Sequence, residues 1–185
     1  PNVKEPKGIR SIPDFMMAHQ ICPDYIHEIY EYQTEVALEN AKLFKQACGD
    51  KIQAIIISGT DFGTQNGPFM SLDSFREFYK PYYKKINDWV HENTNWKTFY
   101  HTCGAITTFL QDFYEMGVDI LNPVQLSAYG MDGKMLKEKW GDKFTFWGGG
   151  VDTQKSLTFG THQEVYDYVK ERLKLFNKGG GFVFN

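Results

Sequence analysis

Five short apolar runs, each separated from the next by a stretch of helical periodicity, limit what this chain can fold into more than any other feature. Ile52–Ile57 is nearly continuous apolar sequence, as expected of a strand covered on both faces. Similar runs end at His101, span Asp119–Val124 and Phe144–Trp147, and close the chain at Phe182–Asn185. Between them, apolar residues recur at helical spacing. Ile29, Tyr30, Val36, Ala37, Ala41 and Phe44 lie between an N-cap candidate, Asp24, and Gly49. Leu72, Phe75, Phe78, Tyr82, Ile86 and Val90 make a second helix, interrupted early by Pro81. Phe109, Leu110, Phe113 and Met116 make a third that stops at Gly117, 131–140 a short fourth, and Val165, Tyr168, Val169, Leu173 and Phe176 a last one over 161–176. Such alternation implies a parallel sheet. An open doubly wound sheet and part of a (β/α)8 barrel both fit, although five strands cannot close an eight-stranded barrel of ~250 residues. Residues 1–23, punctuated by Pro1, Pro6, Pro13 and Pro23, read as an irregular lead-in to a single domain over 1–185. The chain begins on Pro1 without an initiator Met, from which an excised piece of a longer protein is expected.

Each strand delivers polar groups at its carboxyl end, where α/β proteins place their chemistry. Asp61, Thr64 and Gln65 follow the first run, and His101 and Cys103 end the second. Asn122 and Gln125 follow the third, and Asp152 and Gln154 the fourth. In extended chain His101 and Cys103 face the same side, roughly 6.5–7 Å apart, and can converge on one small object. Gly104 lets the chain turn there, ahead of Thr107 and Thr108 in the next helical turn. Singly, each of these residues has an ordinary structural role: an Asx turn for Asp61, an N-cap for Asp152, a buried thiol for Cys103. Convergence of four loops is what points to a site. If Cys103 is a ligand or an activated thiol, the nearby helix start and His101 should hold its pKa below the ~8.5 of a free cysteine. The run Gly148–Gly150 has the composition of a phosphate cradle, a weak signal alone.

Composition excludes several classes. A net charge of −3 with no Lys/Arg run argues against nucleic acid as a partner. No apolar run approaches the ~18 residues of a membrane span. Cys22, Cys48 and Cys103 are odd in number and far apart, which fits a reducing, cytoplasmic setting and not a disulfide framework. Aromatics make up 16% of the chain, so core or pocket must be strongly aromatic. Only Arg10, Arg76 and Arg172 are available to clamp carboxylates of a substrate.

Asp61-Phe62-Gly63-Thr64-Gln65, Phe78-Tyr79-Lys80-Pro81-Tyr82, His101-Thr102-Cys103-Gly104, Gly117 to Gln125, Phe146 to Gln154 and the closing Gly-Gly-Gly-Phe-Val-Phe-Asn run in this order over 50–185. In them the chain resembles the carboxyl-terminal half of the uroporphyrinogen decarboxylase family. The resemblance implies a (β/α)8 barrel of which this chain is roughly the last five βα units. It implies catalytic roles for Asp61, His101 and Cys103, and substrate binding by Thr64, Gln65, Asn122, Gln125, Trp147 and Asp152. The His-x-Cys pair is similar to that of the corrinoid-dependent methyltransferase branch, which implies zinc, with His101 and Cys103 as its first two ligands. It also implies a small-molecule methyl acceptor and a corrinoid protein as partner. No cysteine follows Cys103, so the third ligand is expected at or just past Asn185 and absent here. True decarboxylases of the family need no cofactor; that activity, on a tetrapyrrole, is the alternative reading. A non-catalytic corrinoid-binding or structural fragment is the second alternative. Self-association through an open strand edge is also expected.

Overall fold

The computed structural model describes residues 11–185. Two helices lead in, α1 (Ile12–Ile21) and α2 (Pro23–Cys48), and strand β1 (Ala54–Ser58) follows. Then come α3 (Leu72–Phe78), α4 (Lys80–Asn93), β2 (Lys97–His101), α5 (Leu110–Glu115), β3 (Ile120–Asn122), α6 (Gly133–Trp140) and β4 (Thr145–Trp147). The chain ends with α7 (Ser156–Phe159), α8 (His162–Phe176) and β5 (Phe182–Val183).

The irregular lead-in expected over 1–23 is in part a helix; residues 1–10 lie outside the described residues. Ser11 caps α1 by accepting the Asp14 N–H at 3.2 Å. Pro13 and Pro23 sit in the first turns of α1 and α2, where a missing N–H costs nothing. They start helices instead of preventing them. The same rule moves the expected interruption at Pro81: the break falls at Tyr79, and Pro81 lies in the first turn of α4. Gly117 ends the α5 segment in the left-handed region, at φ 81. Thr161 and Glu164 start α8 with a reciprocal capping box.

All five strands are parallel and neighbour each other in chain order, β1-β2-β3-β4-β5. A doubly wound sheet reverses its strand order at a switch point. A barrel wall does not, so the neighbour order selects the barrel. The register sets Tyr100, Leu121, Phe146 and Phe182 in one row across the sheet. Of these, Tyr100, Leu121 and Phe146 are buried under the helices. Ile56, Phe99, Ile120 and Thr145 form the row on the opposite face, where Ile56 is 62% exposed at the β1 edge.

The core between sheet and helices is largely aromatic. Phe62, from the loop after β1, meets Phe75 edge-on at 5.1 Å and Tyr79 at 5.2 Å. Tyr83 meets Tyr100 at 5.3 Å. Such pairs add ~0.5–1.5 kcal/mol each beyond their buried area. They anchor the root of the β1 loop, and with it the position of Asp61. No helix among the described residues is long and apolar enough to cross a membrane.

Candidate metal centre

Asp61, His101 and Cys103 come together just beyond β1 and β2, their ligand-type atoms all within 4.8 Å of one another. Asn122, at the end of β3, decides which tautomer His101 carries. Its Nδ2 donates to the Trp147 carbonyl at 2.9 Å, which turns Oδ1 toward the imidazole. The His101 Nδ1–H therefore donates to that oxygen at 2.7 Å. The Nε2 lone pair is left facing Cys103, whose Sγ lies 3.6 Å away. Four ligands bound at ~2.0–2.3 Å around zinc stand roughly 3.5 Å from each other. The nitrogen and sulfur already hold that spacing. Asp61 adds a carboxylate oxygen, so a third donor is present where the sequence offered two. Imidazole, thiol and carboxylate with an open side are a donor set that suits zinc.

The segment carrying the thiol is fixed at four successive N–H groups. Thr102 donates to the Asn122 carbonyl at 2.7 Å, and Cys103 to Asp61 Oδ1 at 2.7 Å. Gly104 donates to Gln125 Oε1 at 2.9 Å, and Ala105 to the Thr64 carbonyl at 2.8 Å. Backbones touch here as well: a Cβ on Gly63 would lie 2.6 Å from the Ala105 nitrogen, and one on Gly104 2.4 Å from the Gly63 carbonyl carbon. Gly104 also sits at φ 86.

The expected activated thiol is not what the metal-free site contains. Burial pushes the Cys103 thiol up to about 11, and the neighbouring Asp61 carboxylate pushes in the same direction. The helix that was to lower it starts too late. A 3-10 turn spans Thr107–Phe109 and α5 begins only at Leu110, while the Cys103 N–H is already taken by a carboxylate.

The other predicted residues divide. Cys103, Gln125 and Asp152 line one cleft of about 390 Å³, together with Val124, Val151 and Asn185. Asp152 Oδ1 accepts the N–H groups of Gln154 and Lys155, an Asx-type turn preceding α7 and not a helix cap. Asp61, Thr64, Gln65, His101, Asn122 and Trp147 stand outside the cleft lining, so the donor cluster meets the cleft only through Cys103. Thr64 closes its own turn, donating to the Gly67 carbonyl at 2.9 Å and accepting the N–H groups of Asn66 and Gly67. Trp147 packs edge-on against Phe99 at 5.3 Å. Gln65 and Gln125 bond to each other. Gly148 and Gly150 donate their N–H groups to Val183 and Asn185, so this run prolongs the sheet and is no phosphate cradle. Tyr168 of α8 also lines the cleft and was missed. In the sequence it is indistinguishable from its helix's core positions.

A family model described as uroporphyrinogen decarboxylase (URO-D) matches residues 5–185. No curated protein matches the chain. Among solved structures, a methyltransferase from Methanosarcina mazei superposes with a TM-score of 0.65 at 23% identity, over 94% of this chain and 47% of that one. The chain thus spans about half the length of that methyltransferase, and the likeness speaks for the fold. The family match, the strand order and the fold likeness agree: the chain belongs to the uroporphyrinogen decarboxylase family and supplies five consecutive strands of its (β/α)8 barrel.

Proposed function

We propose that this chain carries the metal-binding part of a methyltransferase-like enzyme of the family, one that moves a methyl group from a protein-bound corrinoid to a thiol or similar acceptor. Zinc would be held by His101, Cys103 and Asp61. The observation that carries this reading is the convergence of their donor atoms within 4.8 Å. Bound there, zinc would bind an acceptor thiol as its thiolate at neutral pH.

The chain's own residues prepare for that. Asn122 keeps the imidazole proton on Nδ1, so Nε2 stays a free donor. The Cys103 sulfur lies 3.6 Å from that nitrogen and beside the Asp61 carboxylate, and metal binding there would displace the thiol proton. Asp61 holds the Cys103 peptide with the same carboxylate that lies beside the sulfur. Val124, Leu126 and Val151 give the cleft an apolar wall that keeps water from the reacting sulfur, while Asp152, Gln154 and Tyr168 offer polar groups to orient the acceptor.

Tetrapyrrole decarboxylation is less well supported. It calls for cationic clamps, yet Arg76 pairs with Asp112 and Arg172 lies over the Tyr168 ring, and neither lines the cleft. Three free cysteines are in keeping with a cytoplasmic protein. The test is elemental analysis of the full-length protein after dialysis, followed by methyl transfer from methylcobalamin to a small thiol. About one zinc per chain, lost together with the transfer in His101→Ala and Cys103→Ala, is the expected result. Metal-free protein that decarboxylates uroporphyrinogen would overturn it.

A further inference from the structure

Gln65 and Gln125 use both ends of their amides on the protein itself. Gln65 Nε2 donates to the Ser127 carbonyl, and its Oε1 accepts from Gln125 Nε2 at 2.8 Å. Gln125 Oε1 then accepts the Gly104 N–H at 2.9 Å. The Tyr129 N–H donates back to the Gln65 carbonyl at 2.9 Å. One relay thereby ties the loops after β1, β2 and β3, and it ends on the peptide that joins Cys103 to Gly104.

The polarity of this relay admits few other residues. One end is a fixed acceptor, the Ser127 carbonyl, and the other a fixed donor, the Gly104 N–H. Two amides in series satisfy both ends and each other. A carboxylate at 65 would face the Ser127 carbonyl with nothing to donate, and one at 125 would face Gln65 Oε1 in the same way. The direction of the Cys103 side chain depends on the peptides on either side of it. Asp61 holds the one before it and Gln125 the one after it.

We propose that Gln125 is the positioning residue of Cys103 and that Gln65 fixes the orientation of the Gln125 amide. The pair would then act on the thiol and not on the substrate. This rests on the metal–thiolate reading above. Holding a ligand near its productive geometry is worth roughly 10–100-fold in metal affinity.

The experiment compares full-length wild-type protein with Gln125→Ala, Gln65→Ala, the double variant, and Ser71→Ala as a control that removes a distant helix cap. Zinc affinity is read by chelator competition, and the cobalt–thiolate absorption of the Co(II)-substituted protein serves as a spectroscopic signature. Each single Gln variant should bind zinc roughly 10–100-fold more weakly and lose cobalt–thiolate absorption. The double variant should be no weaker than the worse single, because both act through one relay. Ser71→Ala should bind as wild type. Wild-type affinity and spectrum in Gln125→Ala would overturn the relay and leave the metal site standing. If wild-type protein takes up no metal, the proposed function fails, and alkylation of Cys103 in metal-free protein decides the relay instead. A severalfold faster rate in Gln125→Ala, with Cys22 unchanged, supports it; equal Cys103 rates overturn it.

Discussion

Burial and the neighbouring Asp61 carboxylate both disfavour the Cys103 thiolate. At pH 8, with a chelator present, Cys103 should alkylate more slowly than exposed Cys22, and its rate should climb as pH approaches about 11. Site-resolved mass spectrometry of alkylated protein measures both rates, and a Cys103 faster than Cys22 would contradict the assignment. Gly63 makes an independent residue-level prediction. Alanine there needs a Cβ 2.6 Å from the Ala105 nitrogen, with backbone and not a flexible side chain in the way. Gly63→Ala should destabilise the fold by ~1–3 kcal/mol, measured by urea denaturation, and should loosen the Cys103 segment with it. The His101–Cys103 pair was legible in sequence because it depends only on strand period. Asp61 was expected at the same site, but its bond to the Cys103 N–H was not legible, since that depends on how the β1 loop returns over β2. Nor was the hydrogen bond between Gln65 and Gln125, two residues expected to bind substrate.

Between elements, hydrogen-bonded carboxylates carry much of the specificity. Asp119, just before β3, accepts the Thr98 N–H at 2.9 Å, His91 Nε2–H at 2.7 Å and a Lys97 ammonium at 3.3 Å, so it joins α4, β2 and β3. Burial raises its pKa, but the Thr98 N–H, His91 and Lys97 outweigh burial and hold it below the usual carboxylate range. A carboxyl whose folded pKa lies below its unfolded ~3.9 stabilises the protein above that value, and loses the contribution as pH falls through the folded pKa. Asp119→Asn should therefore lower Tm at pH 7 by about 2–4 °C for each kcal/mol removed, and should flatten the Tm–pH profile on the acid side. Calorimetric scans from pH 7 down to pH 2 test it; a parallel profile would show that Asp119 does not titrate this way. Asp112, fully buried between Arg76 and Lys80, makes the matching link of α3 and α4 to α5. Helix positions were largely legible from periodicity. The misses have local causes: Pro13 and Pro23 were read as breakers although prolines suit a first turn, and α7 has four residues, too few to show a period.

At the scale of the molecule, alternation of helix and strand was visible in the apolar runs, and the barrel order of the strands only in the motifs shared with the family. Apolar runs reveal that strands are buried and parallel, and they carry no mark of which neighbours which. The register bears out the barrel order, with Phe99 beside Ile120 and Ile120 beside Thr145. The open face of that sheet, with Ile56 62% exposed, goes with a chain covering 47% of the methyltransferase it matches. Strand order also governs biogenesis. Because β2 to β5 each pair with the strand synthesised just before it, this part of the sheet can build in the order it leaves the ribosome. Asp61, His101 and Cys103 precede residue 104, and Asn122 and Gln125, which bond to that segment, precede 126. Ribosome-arrested chains that have exposed β3 should therefore already slow Cys103 alkylation, whereas chains stopped within α4 should show no protection at Asp61's loop from limited proteolysis. In nascent-chain terms, the three clustered side chains are synthesised before β4 and β5, whereas the Trp147 carbonyl that turns Asn122 arrives only with β4.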